Sequence, residues 1–373
     1  MSFDTFVWKV ASRCNLDCTY CYVYNASDTS WNAQPRFMSD EVAAAAAERI
    51  KTHAQERALE RVVINFHGGE PFLGGSRHLE ALHSRIRTTF QGTGIEVETA
   101  VQSNGLLFSA DIGDLLLERD IGLYVSLDGP PEINDRRRID LRGAGTGKVL
   151  ETRLETLCTQ PYKRIFQGFL CVVDPTSDPA AVLDYLAQYD PPLIDFLLPL
   201  NNHDTMPTGG AGAFTDWLCT CFDHWMDLNS GIQVKTFASI ILGLLGRTRG
   251  DSESEYLVVE TDGSIELDDT LKTAFHGAAT LGYDVFTHSL EDVSTDPRLL
   301  PLRDEVARLS PTCRACGFVE ICRGGHVSHR YSAADGLLNP SVYCSALQQL
   351  ILHTRQRLLR ETPAGNSVSH AAG

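Results

Sequence analysis

Over roughly the first two hundred residues, short apolar runs rich in β-branched and aromatic side chains alternate with longer stretches of helical periodicity. The short runs predict strands over 6–11, 61–66, 97–102, 123–127, 165–173 and 194–198. The helical stretches fall at 40–57, 77–90, 110–119, 148–159, 179–189 and 213–228. Ser39, Ser109 and Asp178 stand where helix N-caps are needed, and Pro179 would take the first position of its helix. Six β-then-α units predict a parallel sheet with helices outside, an α/β fold that curls into a full or partial barrel.

In such a barrel, ligands gather at the C-terminal ends of the strands. The unusual motifs of this chain fall there. Cys14, Cys18 and Cys21 follow the first strand, His67-Gly68-Gly69-Glu70-Pro71 the second and Ser103-Asn104-Gly105 the third, while Ser126-Leu127-Asp128-Gly129-Pro130 closes the fourth. One such turn is ordinary loop chemistry; four around one mouth predict a site. After about residue 212 the alternation stops. The glycines of 208–212 read as a boundary, 256–267 as a hairpin about Asp262-Gly263, and the small, polar end as disordered. The expected division is a barrel over 1–212, a bridging region over 213–300, a cysteine module over 301–361 and a tail over 362–373.

Composition narrows the chemistry. A net charge of -16 disfavours nucleic-acid partners, because phosphate contacts need clustered Lys and Arg. No apolar run approaches the length of a membrane span, and Asp4 interrupts an N-terminus too weakly apolar for a secretory signal. These features predict a cytoplasmic protein with no membrane partner. Thiols stay reduced there, so eleven cysteines argue for metal or cluster ligation over disulfides. Cys158, Cys171, Cys219 and Cys221 lie in apolar or helical contexts and read as core thiols.

Three cysteines spaced CxxxCxxC can hold three irons of a [4Fe-4S] cluster and leave the fourth open to a small molecule. Zinc is the alternative, but zinc sites are usually closed by a fourth Cys or His, and none is nearby in sequence. With Tyr20 just before the third Cys, the motif resembles that of the radical SAM superfamily. The resemblance implies a partial (β/α)6 TIM-like barrel in which Cys14, Cys18 and Cys21 hold the cluster and S-adenosyl-L-methionine (SAM) chelates the open iron. It implies further that Tyr20 lies against the adenine and that Gly68, Gly69 and Glu70 receive the methionyl amino group. Ser103, Asn104 and Ser126 would bond the ribose and the methionine moiety. One electron, from a donor such as flavodoxin or ferredoxin, would then cleave SAM to a 5'-deoxyadenosyl radical that abstracts a substrate hydrogen. The segment 143–148 imitates a phosphate loop, but Arg142 and Val149 stand where the Walker pattern needs Gly and Ser or Thr. It reads as a flexible loop after the basic residues of 135–138, a run that reads as a solvated face or a contact for substrate carboxylates.

Cys313, Cys316 and Cys322, with Cys344 further on, could bind zinc or a second cluster, and spacing alone does not separate these. Behind such a barrel they resemble the SPASM extension, of which the four cysteines of the outer cluster are present, while His326 and Asp268 stand at two of the missing positions. That implies one auxiliary [4Fe-4S] cluster, with His326 and Asp268 as hydrogen-bonded fillers. Val23-Tyr24, Trp31, Gln34-Pro35, Met38-Ser39-Asp40, the HGGEP turn, Gly324-Gly325, His329-Arg330-Tyr331 and residues 339–344 resemble the FxsB-type branch of radical SAM/SPASM peptide maturases. This resemblance implies a precursor-peptide substrate and a cyclophane crosslink from an aromatic ring to a Cβ, with Asp128 the candidate base. Two alternatives stay open. One is oxidation of a Cys or Ser to formylglycine, as in anaerobic sulfatase maturases; the other is a zinc-stabilised binding protein without activity.

Overall fold

The alternation in the sequence becomes one ten-stranded sheet in the computed structural model, which describes residues 3–247, 256–302 and 306–361. Six strands stand where the pattern predicts them: β1 (Thr5–Ala11), β2 (Arg61–Gly68), β3 (Glu96–Ser103), β4 (Ile121–Ser126), β5 (Phe166–Val172) and β6 (Leu193–Leu197). They pair in parallel in sequence order. Helices Asp40–Glu56, Gly75–Phe90, Ala110–Arg119, Gly147–Leu157 and Pro179–Ala187 return the chain between them. The expected caps form: Ser39 accepts from Val42 N, Ser109 from Ile112 N and Asp178 from Ala180 N.

Burial alternates along the strands, as one inner and one outer face require. In β2, Val62, Ile64 and Phe66 are fully buried in the apolar core, whereas Val63, Asn65 and His67 line a lumen of about 1330 Å³. The barrel is partial. β7 (Gln233–Val234) joins β6, while β8 (Tyr256–Val259) pairs in parallel with β1 and continues antiparallel into β9 (Ser264–Glu266) and β10 (Thr280–Asp284). The hairpin expected about Asp262-Gly263 is therefore β8 and β9, and Gly263 takes the turn at φ +90°. What the pattern did not show is its partner: residues expected as a bridge extend the barrel's own sheet beside β1.

Two expectations need correction. The glycines of 208–212 are not all loop, because Gly209 in the left-handed region opens the helix Gly210–Leu228 directly. The segment 143–148 is no flexible loop: Asp135 Oδ1 accepts from Thr146 N (2.8 Å) and Gly147 N (2.7 Å), and Ile139 bridges to Gly145. The expected tail lies outside the described residues. Among them, no helix is long and apolar enough to cross a membrane.

The β8–β9 extension buries charge. Lys272 sits between Glu260 (2.6 Å) and Glu266 (2.8 Å), and all three side chains are 5% exposed or less. One cation serves two carboxylates, so burial and the Glu260 charge push Glu266 up to about 7 from 4.5. Its contribution to stability is complete below the lower value and is lost as pH rises through the upper one. Lys272→Met should cost about 3–5 kcal/mol in urea unfolding, the penalty of an unpaired buried charge. Glu266→Gln should cost far less, and its cost should shrink as pH rises from 4.5 through 7.

Candidate functional site

The mouth of the barrel is drawn together at the end of β2. Gly68 adopts φ +133°, and a Cβ there would lie 2.0 Å from the Ala11 carbonyl oxygen. At Gly69 a Cβ would lie 2.0 Å from the Tyr24 hydroxyl and 2.3 Å from Arg13 O. Only glycine lets this turn approach the chain just before Cys14, where Gly69 N donates to Ala11 O (2.8 Å) and Glu70 N to Arg13 O (3.0 Å). The Glu70 carboxylate, wholly buried, then accepts from Phe72 N (2.9 Å), Ser103 Oγ (2.7 Å) and Asn104 N (2.8 Å). Burial pushes its carboxyl up, against the pull of these donors. The side chains of Glu70 and Ser103 thus brace turns. Asn104 reaches back to the cysteine loop, donating from Nδ2 to Asn15 Oδ1 (2.8 Å) at 3.8 Å from Cys14 Sγ. Ser126 ends β4 half-buried.

Cys14, Cys18 and Cys21 are half-buried free thiols on one loop. Leu16 N donates to Cys14 Sγ (3.4 Å), and Asp17 N and Thr19 N anchor the loop on Ile139 O and Arg137 O, each at 2.9 Å. Burial pushes the Cys14 thiol up to about 12 and raises the other two. Tyr20 Oη donates to Asp128 Oδ2 (2.6 Å) and accepts from Arg138 Nη1 (2.8 Å). The other Asp128 oxygen accepts from Val172 N (3.0 Å), and burial raises its carboxyl. Asp128 does not cap its own turn; Asn134 Oδ1 accepts from Asp128 N there (3.4 Å).

Arg138 is a site residue that the basic run concealed. Arg136 and Arg137, both partly exposed, pair with the buried Asp174, but Arg138 turns inward and is 7% exposed. Burial opposes its charge, while Tyr20, Cys18 and Asp128 around it keep it firmly protonated. A second cluster escaped the sequence altogether. Lys9 of β1 donates to Asp269 and lies 3.1 Å from His67 Nδ1, and Tyr22 Oη donates to Asp269 Oδ2 (2.8 Å). Burial works to raise Asp269, but the Lys9 and His67 charges overcome it and hold the carboxyl well below the usual range. Burial and Lys9 press His67 down to about 3. The one available signal was Lys9 itself, a cation between Trp8 and Val10 in a strand, which requires a buried anion from somewhere.

At the other end, Cys313, Cys316, Cys322 and Cys344 line one small pocket of about 30 Å³, where Gln348 Nε2 donates to Cys316 Sγ (3.4 Å). Asp268 Oδ1 accepts from Thr270 N (2.9 Å), and His326 Nδ1 from Ser328 N (3.4 Å). Both therefore act as local caps. Among the described residues, no three His, Cys, Asp or Glu side chains converge closely enough to hold a single metal ion. A four-iron cube spaces its thiolates wider, because each sulfur ligates a different iron.

Residues 8–156 match the model of the Radical SAM superfamily. The catalytic domain is that of a radical SAM enzyme. A radical SAM fold implies SAM and a [4Fe-4S] cluster as cofactors. The chain is 26% identical over 371 residues to a cysteine-type anaerobic sulfatase-maturating enzyme of Clostridium perfringens (94% of this chain, 95% of the relative). It is 22% identical to a serine-type anaerobic sulfatase-maturating enzyme of Bacteroides thetaiotaomicron (93% and 88%). The structure "Native anSMEcpe with bound AdoMet and Cp18Cys peptide" superposes with a TM-score of 0.80 at 23% identity, over 95% of this chain and 97% of the other.

These end-to-end matches overturn the resemblance to the FxsB-type cyclophane branch. The residues that carried it serve the scaffold. Trp31 packs on Tyr24, Gln34 bonds Thr261 and Asp262, Ser39 caps a helix, Gly324 and Gly325 take positive φ, and Tyr343 Oη donates to Pro199 O. Such positions report a shared fold and say nothing of the bond formed. Glu70→Gln, which turns an amide N–H2 toward donors that now meet a carboxylate, should cost about 1–3 kcal/mol in thermal unfolding.

Proposed function

We propose that this radical SAM enzyme oxidises a Cys or Ser side chain of a peptide or protein to formylglycine. The observation that carries the reading is the ionised Asp269 carboxylate set at the same mouth as the three thiols, one hydrogen bond from Tyr22, the residue after Cys21. The end-to-end likeness to cysteine- and serine-type sulfatase-maturating enzymes supports it.

The donor set fits the implied cofactors: three free thiols with no fourth ligand nearby in sequence, glycines that bring the β2 turn against them, and a buried cation beside them. Cys14, Cys18 and Cys21 would hold the cluster, with Tyr20, Gly68, Gly69, Asn104 and Ser126 about SAM. Glu70 and Ser103 hold those turns, and Arg138 balances negative charge. When bound, these cofactors supply an electron and the abstraction of one hydrogen atom from the substrate carbon. That carbon bears the thiol or hydroxyl. Loss of one further electron and of the S–H or O–H proton forms a C=S or C=O bond, and water converts the thioaldehyde to the aldehyde with release of hydrogen sulfide. A base for that proton must be ionised beforehand, which favours Asp269 over Asp128, whose oxygens are committed and whose carboxyl burial raises. Asp128 positions Tyr20 instead. Cys313, Cys316, Cys322 and Cys344 would hold one auxiliary [4Fe-4S] cluster, which would supply an acceptor for the second electron.

Anaerobically reconstituted protein should contain iron and sulfide for two four-iron clusters. With a strong reductant and a Cys or Ser peptide it should form 5'-deoxyadenosine and an aldehyde that a hydrazide captures. Cys18→Ala should abolish both products. Asp269→Asn should keep deoxyadenosine formation while lowering aldehyde yield by about 10²–10⁴. Deoxyadenosine without aldehyde from either class of peptide would sink the oxidase reading.

A further inference from the structure

Three residues past Cys21, Tyr24 places a polar atom that the protein leaves unanswered. Its hydroxyl is buried and, among the described residues, has no hydrogen-bond partner. The hydroxyl occupies the space Gly69 leaves by lacking a side chain, beside the carbonyl of Arg13, the residue before Cys14. The ring is held in place. Trp31 packs edge-on against it at 4.9 Å, and the Arg13 guanidinium lies 5.3 Å from the Trp31 ring while donating to the Trp31 carbonyl (3.0 Å). The backbone N–H of Tyr24 bonds the Cys21 thiol, which ties the ring's own backbone to the cysteine loop. A phenylalanine would fill the same volume without desolvating an O–H, so the hydroxyl needs an acceptor, and it lies beside the residue that leads into Cys14.

We infer that Tyr24 is a positioning residue for the mouth cluster: its O–H donates to a sulfide of that cluster. This rests on the reading that Cys14, Cys18 and Cys21 hold a [4Fe-4S] cluster. A hydrogen bond to sulfur spreads the negative charge that reduction adds, and so raises the reduction potential. It also gives Gly69 a second duty, since any side chain there would displace the donor.

The test is a redox titration of full-length, anaerobically reconstituted protein followed by electron paramagnetic resonance, with SAM added to mark the mouth cluster. Tyr24→Phe should load the same iron and sulfide and melt at the same temperature or higher. Its mouth cluster should titrate at lower potential, with the reduced-to-oxidised ratio at a fixed potential falling about fivefold, the worth of one hydrogen bond. If Tyr24→Phe fails to load, 3-fluorotyrosine at position 24 keeps the ring and strengthens the donor, and the potential should rise. A fully loaded variant with an unshifted potential overturns the inference alone. Wild-type protein that takes up no cluster overturns the reading beneath it as well.

Discussion

Glu70 gathers three donors from two places onto two oxygen atoms: its own turn through Phe72, and the end of β3 through Ser103 and Asn104, while its backbone N–H is fastened to Arg13 beside the cysteine loop. Strand ends diverge in a twisted sheet, and loops that follow them have no reason of their own to meet. A buried carboxylate supplies one, because each donor replaces water that the charge has lost. The glycines before it let backbone reach backbone. With this knot tied, Cys14, Asn104 and the β2 turn share one mouth.

Around that mouth the charges are partitioned. Asp128 is sealed under Tyr20 and Arg138 and pushed up by burial; Asp269 is drawn down by Lys9. Two carboxylates at one opening thus differ in the protonation state that their surroundings favour. The neighbouring cations also make the loop hospitable to the negative charge that sulfur ligands bring, which raised thiols in a bare protein would resist.

The region after the barrel completes the site. β8 lies against β1, and the turn after β9 carries Asp269 over the mouth to Lys9 and Tyr22. Glu260, Glu266 and Lys272 fill the ground beneath it with ion pairs. Asp268 and His326, at positions where the SPASM pattern has cysteine, cap their own turns. The extension thus sets a buried carboxylate at the mouth, against Lys9 and Tyr22.

The six strands, their helices and the three side-chain caps were legible in the chain, because apolar periodicity and capping are set within a few residues. So were the positions of the two cysteine groups and of the four strand-end turns, whose residue types are uncommon enough to stand out in the chain. The short motifs misled on the branch, since Trp31, Gln34, Gly324 and Tyr343 serve packing and turns that many reactions can share. Only the folded chain decided that Arg138 turns inward from a basic run, that Lys9 meets Asp269 and that β8 joins β1. Those outcomes depend on which distant segments share a sheet, and the balance between burial and ion pairing is struck after folding brings them together.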